Sequence, residues 1–358
     1  MKKWRLAVIA ALITAVLICL FLAFFPGGSS AQPLSLWYIS GDCSDKALES
    51  LVSNYNRRVG KQARPIELQS FEDEASLGAA FETDIPDLLL CSHAKAVQLD
   101  SRSVLTGLET DADIWLQEVS GLEGVGEYFF PLGARVTVLL TDTAVYKSAG
   151  FDASSSSLEA LLDTAQSCAA ANSSAFLAAD SYAAVFRGAL LSLGTDFDPA
   201  APDVKSDDYV KIYNALAQCA YIGGLSAAVT NPGELPCTLA WSTALGSSLP
   251  SSLSVSLAPL PEGGRDLYPA ELLGLTVLRQ ENQNSDAANA FIDWLCDKGR
   301  LSELALDSGL VPASELSSAS DSPLLALYDC GRLAFVYIDD AADLEFDAQF
   351  RRTIELLG

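Results

Sequence analysis

Imidazole and basic charge are what this chain has least of. Its 358 residues include one histidine, His93, and 22 lysines and arginines stand against 46 aspartates and glutamates, a formal charge of −24. A single histidine removes most zinc sites and most mechanisms built on an imidazole base. The negative field repels phosphate backbones and anionic head groups, so no nucleic-acid partner is expected. The eight cysteines contain no C-x-x-C pair, the signal of a thioredoxin-like site or a zinc ribbon. A G-x-S-x-G nucleophile elbow, a G-x-x-x-x-G-K-[ST] phosphate loop and a dinucleotide fingerprint are likewise missing. Near the C-terminus Asp339-Asp340 and Asp343-Leu344-Glu345 lack the spacing and glycine of a calcium loop and read as a solvated acidic face. The sequence therefore predicts no metal, no cofactor and no catalytic residue. What remains is carboxylate chemistry or binding without chemistry.

Half of the residues are apolar, enough to fill the cores of two lobes. Lys2, Lys3 and Arg5 precede an apolar run from Leu6 to Phe25, the order of an export signal or of an anchor with its basic end inside. Residues 1–31 are thus expected to be a signal peptide or membrane anchor, and the rest extracytoplasmic, either anchored at the cell surface or secreted. Twenty helical residues reach about 30 Å, the thickness of a bilayer core, which favours retention. Ser29-Ser30-Ala31 supplies the small side chains of a cleavage site, and Ile18 before Cys19 argues against lipid attachment there. The seven later cysteines are widely and irregularly spaced and are expected to be mostly buried small hydrophobes.

Beyond residue 31 the pattern alternates strand and helix. Leu34 to Ile39 predicts a strand, Gly41-Asp42 a turn and Asp45 to Arg58 a helix. A strand at Pro65 to Gln69, a helix at Glu74 to Phe81 and a buried strand at Asp87 to Cys91 follow. Two βαβ steps in succession indicate a mainly parallel sheet covered by helices. Arg135 to Thr141 is strand-like, the middle third is helix-rich, and Cys237 to Trp241, Ser252 to Leu257 and Leu272 to Leu278 predict further strands. Ser285 to Cys296 has the periodicity of an amphipathic helix. Aromatics beside turns, among them Trp37-Tyr38, Tyr128 and Trp241, suit stacking on sugar rings, although each alone is more often a core residue. His93, at a strand end with no partner motif, is expected to be structural or to touch a ligand.

The order of these segments resembles the extracellular solute-binding proteins of ABC transporters, in particular the carbohydrate-type group. The resemblance spans residues 34 to about 315. Leu34-Ser35-Leu36-Trp37 looks like that family's opening strand, and Ile85-Pro86-Asp87-Leu88-Leu89-Leu90 like its P-D strand. Tyr128-Phe129-Phe130-Pro131-Leu132 and Tyr146-Lys147-Ser148-Ala149-Gly150 resemble the first crossing and the segment after it, with Thr141-Asp142 in place of the usual tyrosine and asparagine. Leu257-Ala258-Pro259-Leu260-Pro261-Glu262-Gly263 is the closest local match, and Ser308-Gly309-Leu310-Val311-Pro312-Ala313 resembles a segment near the third crossing.

The resemblance implies an α/β, two-lobed periplasmic-binding-protein type II fold. Lobe 1 is expected over 34–134 plus 274–311 and lobe 2 over 135–273 plus 312–358, with crossings near 133–137, 270–275 and 308–313. It implies capture of a small solute, a carbohydrate, by a monomer that is not an enzyme, with ABC permease subunits as partners and the N-terminal segment as the tie to the membrane. Trp37, Tyr38, Asp87, Ser92, Tyr128, Arg135, Trp241 and Glu271 are the expected ligand-binding residues. The aromatics would stack, while Asp87, Arg135 and Glu271 would bond hydroxyls or fix the lobes. The competing classes are an extracytoplasmic glycoside hydrolase working with cleft carboxylates and a membrane-anchored sensing ectodomain.

Overall fold

The structure is a computed structural model that describes residues 32–59, 64–108, 114–148, 157–172, 174–228, 234–246, 252–279, 285–316, 324–325, 332–338 and 340–358. The expected signal or anchor, with Cys19, and Cys330 lie outside the described residues. Among the described residues no helix is long and apolar enough to cross a membrane.

The chain opens with β1 (Leu34–Ile39), α1 (Asp45–Val59), β2 (Ile66–Phe71), α2 (Glu74–Phe81), β3 (Leu88–Ser92) and α3 (His93–Ser101). In α1 the apolar residues Leu48, Leu51, Val52 and Tyr55 fall on one face and are buried, and Arg57 and Arg58 in the last turn complement the helix dipole. β1 lies between β2 and β3, parallel to both, with Leu36 opposite Leu68 and Leu88. A short β4 (Leu105–Thr106) and α4 (Gln117–Ser120) lead to β5 (Phe130–Asp142).

Then come α5 (Thr143–Ser148), α6 (Leu158–Asn172), β6 (Leu177–Ala179), α7 (Tyr182–Leu193), α8 (Asp207–Tyr221) and β7 (Cys237–Trp241). A 3-10 turn over Ser242–Gly246 precedes β8 (Leu253–Leu257) and β9 (Tyr268–Leu278). The last elements are α9 (Ser285–Leu295), α10 (Lys298–Asp307), β10 (Val311–Pro312), β11 (Leu333–Phe335) and α11 (Asp340–Leu357). The main path of the sheet runs β2-β1-β3-β9-β5-β7-β6.

β5 joins two bodies. Its first half, Phe130 to Val136, pairs antiparallel with Leu275 to Ala270 of β9, and its second half, Thr137 to Asp142, runs between β7 and β8. Around the first half, β1, β3, β9 and helices α1, α9 and α10 enclose one buried cluster. Around the second, α6, α7, α8 and α11 close a separate cluster rich in rings, where Phe186 meets Phe346 edge-on at 5.2 Å and Phe350 at 5.4 Å. Two cores linked by crossing strands are what a two-lobed protein requires.

Both linking strands begin earlier than the sequence pattern indicates, β5 at Phe130 and β9 at Tyr268, because prolines at 131 and 269 break the strand signal. Pro131 is tolerated where the β5–β9 register shifts between Pro131 and Gly133, a bulge at which a missing N–H costs nothing. Gly133 has its own reason: a Cβ there would lie 2.8 Å from Leu310 Cβ and from the Val311 carbonyl, so glycine lets β10 pair with β5. Val311 and Pro312 lie opposite Ala134 and Gly133, on the first core, and β11 pairs with Tyr268 to Ala270 before the chain reaches α11. In the acidic C-terminal stretch Glu345 is exposed, as a solvated face requires, and Asp339 lies outside the described residues, but Asp343 departs from that expectation. Asp343 is buried, and Arg187 donates to it from both terminal nitrogens, at 2.9 and 2.5 Å.

Candidate functional site

A cavity of about 370 Å³ opens between the two cores. From the first core its wall is the turn after β1, with Ser40, Gly41 and Asp42, and the loop after β2, with Glu72, Asp73 and Glu74. Gly41 takes φ +99, a left-handed value that suits glycine, and so lets the chain reverse into α1. Asp73 caps α2 by accepting from the Ser76 N–H at 2.7 Å, and the Ser76 hydroxyl accepts from the Asp73 N–H in return. From the second core come Asp180 and Ser181, where β6 passes into α7, Trp241 at the end of β7, and Asp343, Leu344 and Asp347 of α11.

Arg135 of β5 stands on this wall. Its Nε donates to Glu271 of β9, its Nη1 donates to Asp42 at 2.9 Å, and its guanidinium carbon lies 4.8 Å from the centre of the Trp241 ring. Two carboxylates and an aromatic face offset the cost of holding this cation out of water, and they fix the plane of the guanidinium. Glu271 is buried directly across the β5–β9 ladder from it.

On the other side, Arg351 of α11 donates to the carbonyls of Ala179 at 2.7 Å, Asp180 at 2.8 Å and Ala227 at 2.9 Å, and lies over the Tyr182 ring. It thereby holds the turn that presents Asp180 and Ser181. Burial pushes the Asp180 carboxyl up to about 6, against the lowering effects of the Trp241 N–H it accepts and of nearby Arg351. Asp347, which accepts the Ala183 N–H at 2.7 Å, is also raised by burial.

Of the eight residues the sequence singles out, the structure brings Arg135 and Trp241 to the wall of this cavity, with Glu271 buried behind Arg135. The other five sit elsewhere in the first core. Trp37 is buried against Phe71 and Phe81, with ring centres at 5.0 and 5.5 Å. Tyr38 is buried too, and burial together with Asp45 pushes its hydroxyl up to about 12. Asp87 ties two strands: it accepts from the Ser35 N–H at 2.8 Å, and its own N–H donates to the Ser35 hydroxyl. Ser92 caps α3 by accepting from the Lys95 N–H. It lines a neighbouring cavity of about 440 Å³ that meets the first at Glu74 and Ile338. The Tyr128 ring lies over Gly124, where a Cβ would come 2.0 Å from its Cζ. His93 opens α3 and donates from Nε2 to the Glu123 carbonyl at 2.6 Å, a structural role.

The wall residues that sequence reasoning missed are carboxylates: Asp42, Glu72 to Glu74, Asp180, Asp343 and Asp347. A signal existed for two of them. Gly41-Asp42 directly follows a strand, and Asp180-Ser181 directly precedes an apolar helix, so both mark the loops at which an α/β sheet presents its functional groups. The six described cysteines beyond residue 31 are free thiols, and five of them are buried.

This arrangement of two α/β cores around a polar cavity, joined through β5, is the two-lobed type II fold of the periplasmic binding proteins. Three solved structures illustrate the likeness. The ABC substrate-binding protein Lmo0181 from Listeria monocytogenes, in complex with cycloalternan, has a TM-score of 0.73 at 11% identity over 91% of this chain and 94% of that one. UgpB from Mycobacterium tuberculosis, in complex with glycerophosphocholine, has a TM-score of 0.72 at 16% identity over 91% and 97%. Maltose-bound MalE3 from T. maritima has a TM-score of 0.71 at 15% identity over 91% and 95%. In sequence, no family model and no curated protein matches the chain.

Proposed function

We propose that this protein is the extracytoplasmic solute-binding component of an ABC importer, holding a small solute, of carbohydrate type, between its two lobes. The observation that carries the proposal is the cavity itself: its wall is drawn from both cores, and β5 and β9 cross beside it through Arg135 and Glu271. The similar folds, solved with saccharides and other small solutes bound, support it.

The mechanism needs no bond to be made or broken. A solute touching only one side binds the open form; one that also reaches Asp180, Trp241 and α11 binds the closed form better and shifts the population toward it. Permease subunits would then recognise the closed shape, and the N-terminal segment would hold the monomer near the membrane. Rotation between the lobes is taken up in β5 and β9, while Arg135, bonded on one side and stacked on the other, keeps the two walls in register.

Calorimetric titration with a panel of oligosaccharides, polyols and amino acids, with analysis of the solute afterwards, tests this. The expected result is saturable binding, a raised melting point and recovery of the solute unchanged. Released monosaccharide would overturn it in favour of a glycoside hydrolase.

A further inference from the structure

The basic residues of this acidic chain are not spread evenly. From Ser50 to Ile66 the sequence holds four cations, Arg57, Arg58, Lys61 and Arg64, and no acid, in a chain with 46 acids. Arg57 and Arg58 are exposed in the last turn of α1, and Arg64 stands just ahead of β2. None of these three arginines forms an ion pair with a described carboxylate. Arg57 donates to the Asn54 side chain and Arg64 to the Gln32 carbonyl at 2.5 Å, so each keeps its full charge. Arg300, which shares a groove with Arg58, is instead offset by its own pair with Asp297.

The topology gathers these arginines at one end of the first core. β1 and β2 run parallel, with Leu34 opposite Ile66, and α1 carries the chain back from the end of β1 toward its beginning. Arg57, Arg58 and Arg64 therefore lie at the end where Gln32 leads to residues 1–31, and Arg64 bonds Gln32 itself. Only Pro26 to Ala31 separate Gln32 from the apolar run, a tether that reaches at most about 25 Å from Phe25. The other end of β1, about 20 Å away along six residues, leads to Asp42, and that of β2 to Glu72, Asp73 and Glu74, all on the cavity wall. Charges act over about 8 Å at physiological ionic strength, so a surface touching the arginine end feels those cations rather than the net charge of the chain.

On the reading of residues 1–31 as a retained membrane anchor, we propose that the arginine end of the first core is a docking face for anionic phospholipid headgroups, which rests that lobe on the bilayer with the cavity turned outward to meet its solute. Guanidinium groups suit phosphate oxygens because they can donate two parallel hydrogen bonds to one group. The same surface attracts basic groups next to an anchor and repels the acids at the far end of the strands, so both ends of the lobe favour one orientation.

The test places the full chain in nanodiscs of phosphatidylcholine alone or mixed with phosphatidylglycerol, each with a trace of a lipid whose headgroup carries a quencher. A fluorophore is attached at Ser53→Cys, exposed one turn from Arg57 on the same face of α1, or at Val204→Cys, exposed ahead of α8. The expected result is about twofold more quenching at Ser53 with phosphatidylglycerol than without it, shrinking as salt is raised, and no such excess at Val204. Arg57→Gln, Arg58→Gln and Arg64→Gln together should remove the excess, whereas lysine at the same three positions should keep most of it, with the melting point unchanged in both. Equal quenching in the two bilayers, an equal excess at Val204, or an excess that survives glutamine or high salt would overturn the headgroup proposal. Quenching at neither label in either bilayer would overturn it together with the anchor reading. Calorimetric titration of the solute panel into the same discs decides the solute-binding reading separately, since the cavity lies at the other end of the lobe.

Discussion

In the core around β1, β3 and β9, buried polar groups are tied over short range: Asp87 closes on Ser35, and Asn56 bonds both the N–H and the carbonyl of Ile66. In the core around α7, α8 and α11, a full ion pair, Arg187 with Asp343, is buried next to the stacked rings of Phe186, Phe346 and Phe350. The first core holds its own ion pair, Arg135 with buried Glu271, but Arg135 there also has a second carboxylate, Asp42, and the Trp241 face to share its charge. A buried guanidinium and carboxylate only break even while both are present, so the second core is the more vulnerable to a single change. Both cores join distant parts of the chain; in the second, α11 returns from the C-terminal stretch to cover α7 and α8.

The largest expected effect is on the joint between the two. Gly309 has φ +72, and a Cβ there would fall 2.1 Å from the Ser242 carbonyl, where the end of α10 meets the 3-10 turn after β7. Gly309→Ala should cost about 4 kcal/mol or more in chemical denaturation, because neither backbone can yield. Next, Arg187→Met should cost about 3–5 kcal/mol by stranding Asp343, and the double change Arg187→Met with Asp343→Leu should recover most of it. If the cores differ as described, the single variant unfolds in two steps, the second core first; one concerted transition would erase the distinction.

A smaller change sharpens the comparison through pH. The folded-state carboxyl of Asp180 is raised from 3.8 to about 6, so in that window the folded protein holds a proton that the unfolded chain releases. Stability then falls as pH rises from about 4 to 6, and Asp180→Asn, which can still accept the Trp241 N–H, should abolish that loss. Its advantage should be small at pH 4 and reach about 3 kcal/mol well above pH 6, measured by thermal unfolding across pH. The smallest effect is expected in the first core, where Ser92→Ala removes the cap of α3 and should cost about 1 kcal/mol. Calorimetric binding of the solute should tell whether Ser92 also serves the neighbouring cavity.

The same contrast governs what the sequence reveals. The first core is legible because Leu34 to Ile39, Asp45 to Val59 and Leu88 to Ser92 carry their periodicity in neighbouring residues. α11 is not: its buried Phe346, Phe350 and Ile354 recur every four residues within a run of acids, and only the partner helix shows that Asp343 is inside. The site divides in the same way. Arg135 and Trp241 lie on predicted strands and Glu271 at a crossing that the family resemblance implies, and it is that resemblance that picks them out. Asp42 and Asp180 are short acids at the ends of predicted elements, a local signal diluted among 46 acids, and tertiary placement is what brings them to one cavity. Trp37 and Tyr128 look the same in sequence whether they stack on a guest or on Phe71 and Gly124, since an aromatic next to a turn satisfies both patterns.

β5 has a consequence for inheritance. Its thirteen residues are hydrogen-bonded into one body at their start and into the other at their end. A recombination event with its junction inside Phe130–Asp142 would hand each descendant half a strand, with unpaired backbone at the raw edge of both sheets. Viable shuffling between such proteins should therefore place its junctions in the loops, and this strand should pass from parent to chimera as one indivisible block.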